Sequence, residues 1–277
     1  MGLRISTNTQ SLAAQRSLNE VKRQQSESLE RLASGSRINK AGDDAAGLAI
    51  SEKLKAQIRG SQQASRNVGD GISLIQTAEG GMNEVNNILV RLRELSIQAA
   101  SDTIGDKERT YSNMEFQQLV TEMDRISAST TFNEKNLLNG EGQKMEFQIG
   151  IYNNEKQDRL HYDPAETNVR ISELGVEGMG VATKADAQGN LENIDEAINK
   201  VNTNRARLGA LQNRLQSTIR NLDIKTENLA AANSRIRDTD VAFESAELAK
   251  QNILTASSTS VLAQANATPS GALKLIG

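Results

Sequence analysis

His161 is the sole histidine among 277 residues, and cysteine is absent. A nucleophile–base pair, a thiolate or a zinc-type ligand set needs partners that the spacing around His161 does not suggest. The residue lies in Leu160-His161-Tyr162, where a solvent-facing or hairpin-packing role fits better than catalysis. A second candidate is Gly42-Asp43-Asp44-Ala45-Ala46-Gly47, two adjacent carboxylates in a glycine-flanked loop. No Lys-Ser/Thr follows it, so it is not a phosphate loop. Two carboxylates without further ligands also make a poor cation site. A turn plus helix cap, supplied by Asp43 or Asp44, is the reading left. The third is Arg91-Leu92-Arg93-Glu94-Leu95. Arg91 and Leu95 are four apart on a helix, so they either form one contact patch or sit on an ordinary solvated, ion-paired face. No catalytic, cofactor or metal site is expected.

The elements that carry these residues are helical. Aromatic residues make up 3% of the chain, too few for a conventional globular core of this length, and tryptophan is absent. Coiled-coil seams built from Leu, Ile, Val, Met and Ala need none. Ala78, Met82, Val85, Leu89, Leu92 and Ala99 follow the 3–4 alternation of such a seam, with Leu95 and Ser96 flanking the skipped position. Phe116, Leu119, Met123 and Ile126 form a shorter one, reached through a turn at Ser101–Asp106. A third runs from Leu191, Ile194, Ile198 and Val201 through Leu208, Leu215, Ile219, Leu222 and Leu229, with polar Arg205, Gln212 and Thr226 interspersed. That predicts a helix of about 40 residues, roughly 60 Å long.

Both chain ends are amphipathic. Leu18, Val21, Leu29 and Leu32 are expected on one stripe, and Leu248, Ile253, Leu254, Val261 and Leu262 on another, ended by Pro269 and Gly271. Neither end can bury its stripe alone, so the ends are expected to pair with each other and then with copies of the chain. Between the helical halves the period changes. Met145, Phe147, Ile149 and Ile151 alternate with Glu146, Gln148 and Gly150, which predicts a half-buried strand. Leu160-His161-Tyr162 and Val169-Arg170-Ile171 read as further short strands. The fold class expected is mainly α: a long coiled-coil helical hairpin or bundle, with a small antiparallel β region at the rod end, over about residues 131–185.

Charge excludes some partners. A net charge of −3, from 32 basic and 35 acidic residues, does not support a nucleic-acid partner, which wants a concentrated positive face. No run of 18 apolar residues exists, so membrane insertion is not expected. Met1–Asn8 has no apolar stretch of the signal-peptide kind, so export, if it occurs, uses another route.

Several long segments resemble the bacterial flagellins. They are Ile5-Ser6-Thr7-Asn8, residues 29–39 (LERLASGSRIN), 41–51 (AGDDAAGLAIS), 91–99 (RLRELSIQA), 233–240 (NSRIRDTD) and 259–266 (TSVLAQAN). The resemblance covers roughly 1–140 and 190–277, in the family's order. It implies terminal helices forming an inner-core domain, residues 1–42 plus 234–277, and an outer-core rod domain over 43–233. It implies a structural subunit that self-assembles into the helical flagellar filament, a homopolymer used for swimming. A hook–filament junction protein is the alternative. It further implies a secreted, extracellular product of flagellar type III export. A flagellar secretion chaperone is expected on the C-terminal helix, and filament cap and hook-associated proteins as neighbours. In many flagellins a rod-domain patch is read by the vertebrate Toll-like receptor for flagellin, and its positions here are Arg91, Leu95 and Glu115. About 50 residues separate the two matching halves, which implies a short form without large outer domains.

Overall fold

The computed structural model describes residues 7–273, with side chains as far as 268. The apolar Leu273–Gly277 end and Ile5-Ser6 therefore fall largely outside the described residues. Long helices dominate: α1 (Thr9–Ser34), α2 (Ala45–Ala99), α3 (Asp106–Ser129), α6 (Lys184–Arg237) and α7 (Val241–Leu273). Between α3 and α6 lie β1 (Thr131–Phe132), β2 (Lys135–Asn136), β3 (Met145–Gln148), the one-turn α4 (Glu155–Asp158), β4 (Arg159–Tyr162) and α5 (Ile171–Leu174). The chain divides into two compact units. The first takes residues 1–58 and 227–277, and the second takes 59–226. The loop after α1 lies inside the first unit, so the division falls within α2 and α6.

Local chemistry sets the helix ends. Gly35 closes α1 in the left-handed region at φ +66°, a conformation cheap for glycine alone. Of the two candidate caps, Asp44 takes the role, with Oδ1 accepting from Gly47 N–H at 2.8 Å. Asp43 instead closes the preceding turn, accepting from the backbone N–H of Asn39 and Lys40. Those two N–H donors hold its carboxyl below the usual range. The turn at 101–106 is fastened by buried Arg109, which donates to the carbonyls of Ala99 and Ser101 and pairs with Asp106. The orphan carbonyl of Ala99 at the end of α2 is satisfied that way.

The second unit holds a sealed core. Ala78, Met82, Val85, Leu89, Leu92 and Ala99 on α2 are fully buried, as are Phe116 and Met123 on α3. On α6 the buried line is Ile194, Val201, Leu208, Leu215 and Leu222, a strict seven-residue repeat. The β elements pack against α2 in the same unit. Phe147 lies over Gly71, and at Gly81 an added Cβ would come within 2.7 Å of Leu138. Glycine there admits the close approach of the segment that follows β2.

The β region differs in detail from the sequence pattern. β3 and β4 pair antiparallel, Met145 opposite Tyr162 and Gln148 opposite Arg159. β3 stops at Gln148 because Ile149 and Gly150 both donate to the Asp158 carbonyl, at 2.8 and 3.1 Å, which ends the ladder in a bulge-like turn. Val169-Arg170-Ile171 is not a strand. Val169 makes one backbone bond to Leu138, and Ile171 opens α5. In the strand that was expected, His161 is part-exposed, its Nδ1 3.6 Å from Glu146 across the hairpin.

Candidate functional site

The surface that can do something lies in the first unit, where α1 and α7 pack antiparallel. Asn8 meets Ala265, Gln25 meets Asn252, Arg31 meets Glu244 and Ser36 bridges Asp238. As α1 advances, its partners on α7 recede in step, which fixes one register. α7 presents Glu244, Leu248, Gln251, Thr255, Ser258, Leu262 and Ala265 to this seam, alternating 4 and 3 in spacing. α1 answers with Leu18, Val21, Gln25, Ser28 and Leu32. Half of these residues are polar, although the geometry is that of a coiled coil. Glu244 is 4% exposed, and Gln251 is buried with its Oε1 unpaired.

This arrangement corrects the expected terminal stripe. Leu18 and Val21 are buried, and Leu32, Leu248 and Leu262 are half-buried. Leu29, Ile253 and Val261 are not in the seam: they are 50%, 71% and 55% exposed. Ser28 takes the place expected of Leu29, because heptad geometry selects position 28 whatever its polarity. Phe243, Leu254 and Val261 are 11 and 7 residues apart, which returns each to the same side of a 3.6-residue helix. With Leu12, Leu29 and Ile253 they leave the first unit with apolar surface on more than one side. A helix apolar on several sides is built to be covered.

Pro269 does not end α7, which continues to Leu273. Proline has no N–H, so the Ala265 carbonyl four residues back loses its helical donor. Asn8 Nδ2 donates to that carbonyl at 2.8 Å. The same amide caps α1, Oδ1 accepting from Ser11 N–H at 3.1 Å. An Asn placed three residues before Ser11 at a helix start is a capping signal that the sequence did carry. Nothing in an apolar pattern marks Ser28, Glu244 or Gln251.

In the second unit, the expected receptor patch separates into surface and core. Arg91 makes a two-pronged contact with Glu115 Oε1 at 2.8 and 2.9 Å, and pairs with Glu94 at 3.0 Å. Both partners hold the guanidinium charged, Glu115 the more strongly. Leu95 is 2% exposed and belongs to the core, so Arg91 and Leu95 do not form one contact face. Its position, three beyond Leu92, falls on the inner side of α2. Among the described residues, no cluster of three or more His, Asp or Glu is placed to hold a metal.

Comparison with known proteins bears on this geometry. The model for the bacterial flagellin N-terminal helical region matches residues 5–143, and that for the flagellin C-terminal helical region matches 191–276. The chain belongs to the bacterial flagellins. A flagellin of Halalkalibacterium halodurans is 44% identical over 272 residues, covering 98% of this chain and 99% of that protein. A Bacillus subtilis flagellin is 42% identical, covering 96% and 98%. The crystal structure of Bacillus cereus flagellin is 28% identical, with a TM-score of 0.52, and covers 61% of this chain and 94% of that one. A hook-associated protein from Vibrio parahaemolyticus shares the fold alone, at 13% identity. The family is structural, and this flagellin is a subunit of the flagellar filament. The relatives matched at nearly full length are flagellins and filament core proteins, so the hook–filament junction alternative is not favoured.

Proposed function

We propose that filament assembly runs through the apolar flanks of α1 and α7. The observation that carries this reading is the exposure of Leu12, Leu29, Phe243, Ile253 and Val261 around a seam that is itself half polar. Burying one such side chain against a neighbouring subunit contributes about 1.5–3 kcal/mol. A contact that does not close on itself repeats into an open helical filament. The inner-core role belongs to the terminal helices and the outer-core role to the helices of the second unit. No catalytic step is part of this function. Delivery is through the flagellar type III apparatus to the cell exterior, with a chaperone holding α7 before export and cap and hook-associated proteins as neighbours.

The test is seeded polymerisation. Short filament fragments are added to purified full-length chain and watched by electron microscopy, then to chains lacking 1–34 and 242–277. Filaments from the first alone support the reading. A milder arm uses Ile253→Asp, which leaves the second unit's thermal unfolding unchanged and abolishes growth. Growth at the normal rate would remove α7's outer flank from the interface.

The exposed Arg91–Glu115 pair supports a second, compatible role in recognition by the Toll-like receptor for flagellin. Buried Leu95 would act there only by supporting the helix beneath. Arg91→Ala is then expected to abolish activation of receptor-bearing cells, while Leu95→Met retains it. No activation by the unaltered chain would end this reading.

A further inference from the structure

In the second unit, a cleft of about 370 Å³ opens between the β3–β4 hairpin and α6. Three cations line it, Lys156 and Arg159 from the hairpin side and Arg214 from α6, and none of its lining residues is acidic. Arg159 is held in place by Asn153 and by Glu146, 3.5 Å away. Lys156 and Arg214 have no carboxylate partner among the described residues. The cleft is part of a longer feature. From Ala197 to Leu222, α6 carries Lys200, Arg205, Arg207, Arg214 and Arg220 and no Asp or Glu. Lys200, Arg207 and Arg214 are seven apart, so they share one face, about 10 Å between steps. Lys225, eleven further on, returns to that face and lies over Tyr152 at 6.0 Å. The chain as a whole is acidic, at −3, so this positive row is a local property.

We propose that this face binds a carboxylate-bearing oligosaccharide. Like charges gathered around one cleft repel each other, and a multivalent anion relieves that repulsion. Arginine forks match planar carboxylates with two parallel hydrogen bonds. Ser217 Oγ accepts from Arg220 and keeps its proton to donate, Thr218 Oγ1 donates to the Arg214 carbonyl and keeps acceptor capacity for a sugar hydroxyl, and Ile149 and Leu160 give an apolar floor for a sugar's C–H face. A single-stranded nucleic acid fits less well, because it needs a series of aromatic platforms and, among the described residues, Tyr152 is the one ring that lies under a cation of the row. The lining lies wholly in the second unit, so the proposal does not depend on how the terminal helices assemble.

The probe is hexagalacturonate, titrated calorimetrically into the purified full-length chain at low salt, beside neutral maltohexaose and a single-stranded DNA hexamer. Hexagalacturonate is expected to bind, to weaken as salt rises and to lose at least tenfold in affinity in the double variant Lys156→Gln/Arg214→Gln. Both changed residues are exposed, so the unfolding temperature should not move. Arg23→Gln, on α1, should leave the affinity unchanged. Absence of hexagalacturonate binding would overturn the proposal. So would an unchanged affinity in the double variant, or a DNA hexamer bound as tightly as the sugar.

Discussion

Along α2, the inward positions Val68, Ile75, Ala78, Met82, Val85, Leu89 and Leu92 have no solvent exposure at all. Along α7, the inward heptad line is Glu244, Gln251, Ser258 and Ala265, while Phe243, Ile253 and Val261 face out. The same supercoil geometry is thus filled with apolar side chains in one unit, while half of its positions are polar in the other. The second unit is finished within one chain. The first leaves Leu12, Leu29, Phe243, Ile253 and Val261 exposed, and joins its own helices in part by register-setting hydrogen bonds. Under the proposed assembly, stability in the first unit is tied to burial between subunits, as binding is linked to folding whenever a partner recognises only the folded form.

The most direct way to break this contrast is a pair of truncations. Leu89→Ala removes a fully buried side chain and is expected to cost about 2–5 kcal/mol in urea unfolding of the monomer. Leu29→Ala, at a half-exposed site, is expected to stay within about 0.5 kcal/mol in the same assay. Its effect should appear instead as a raised critical concentration for polymerisation, read by sedimentation. Equal costs in the monomer would mean that the terminal helices have a sealed core of their own.

A pH experiment probes the second unit alone. Burial pushes the Tyr162 phenol up to about 12, and its hydroxyl lies 2.7 Å from the Leu137 carbonyl and 2.8 Å from Thr167. The unfolded chain releases this proton near 10, so between about pH 10 and 12 the folded form binds more protons. Stability is full below 10 and falls as pH rises through that window, by about 3 kcal/mol in total. Tyr162→Phe should flatten the fall, measured by urea midpoints across that range. An unchanged slope would place the alkaline weak point elsewhere.

Where one partner surface decides the fold, the sequence was legible. The α2 seam, the turn at 101–106, the β4 strand and the cap at Asp43–Asp44 all follow from local spacing. Leu29 and Ile253 misled because hydrophobic periodicity assumes a single apolar face per helix. These helices have more than one, and the faces left over stay exposed in the single chain. Leu95 misled in the opposite way, since adjacency to a charged surface pair hid its membership of the core. Val169 misled because one backbone bond to Leu138 does not make a strand.

If buried polar residues weaken the α1–α7 seam, making it apolar should tighten the monomer. Gln251 is buried, and its Oε1 has no partner to lose. Gln251→Leu is expected to stabilise α1–α7 pairing by about 1 kcal/mol, since an unpaired buried polar atom costs more than an apolar replacement of similar shape. Slower amide hydrogen exchange across α1 would report it. A destabilised pair would mean that the amide is satisfied by water in solution.

The smallest effect isolates a single hydrogen bond. Asn8 caps α1 with its oxygen and reaches the Ala265 carbonyl with its nitrogen, at the spot where Pro269 supplies no donor. Asn8→Ser keeps an acceptor for the cap and replaces the amide donor with a hydroxyl one bond nearer the backbone, too short to span the contact with Ala265. The opening of α1 should then become easier by about 1 kcal/mol, roughly a fivefold faster exchange of its amides. In a Pro269→Ala background the helix regains its own N–H for Ala265, and Asn8→Ser should cost next to nothing. A double-mutant cycle measures the difference between the two backgrounds. A zero coupling would mean that the Asn8 amide grips α7 independently of the proline. A coupling near the full single-variant cost would mean that this residue compensates, in α1, for a backbone defect built into α7.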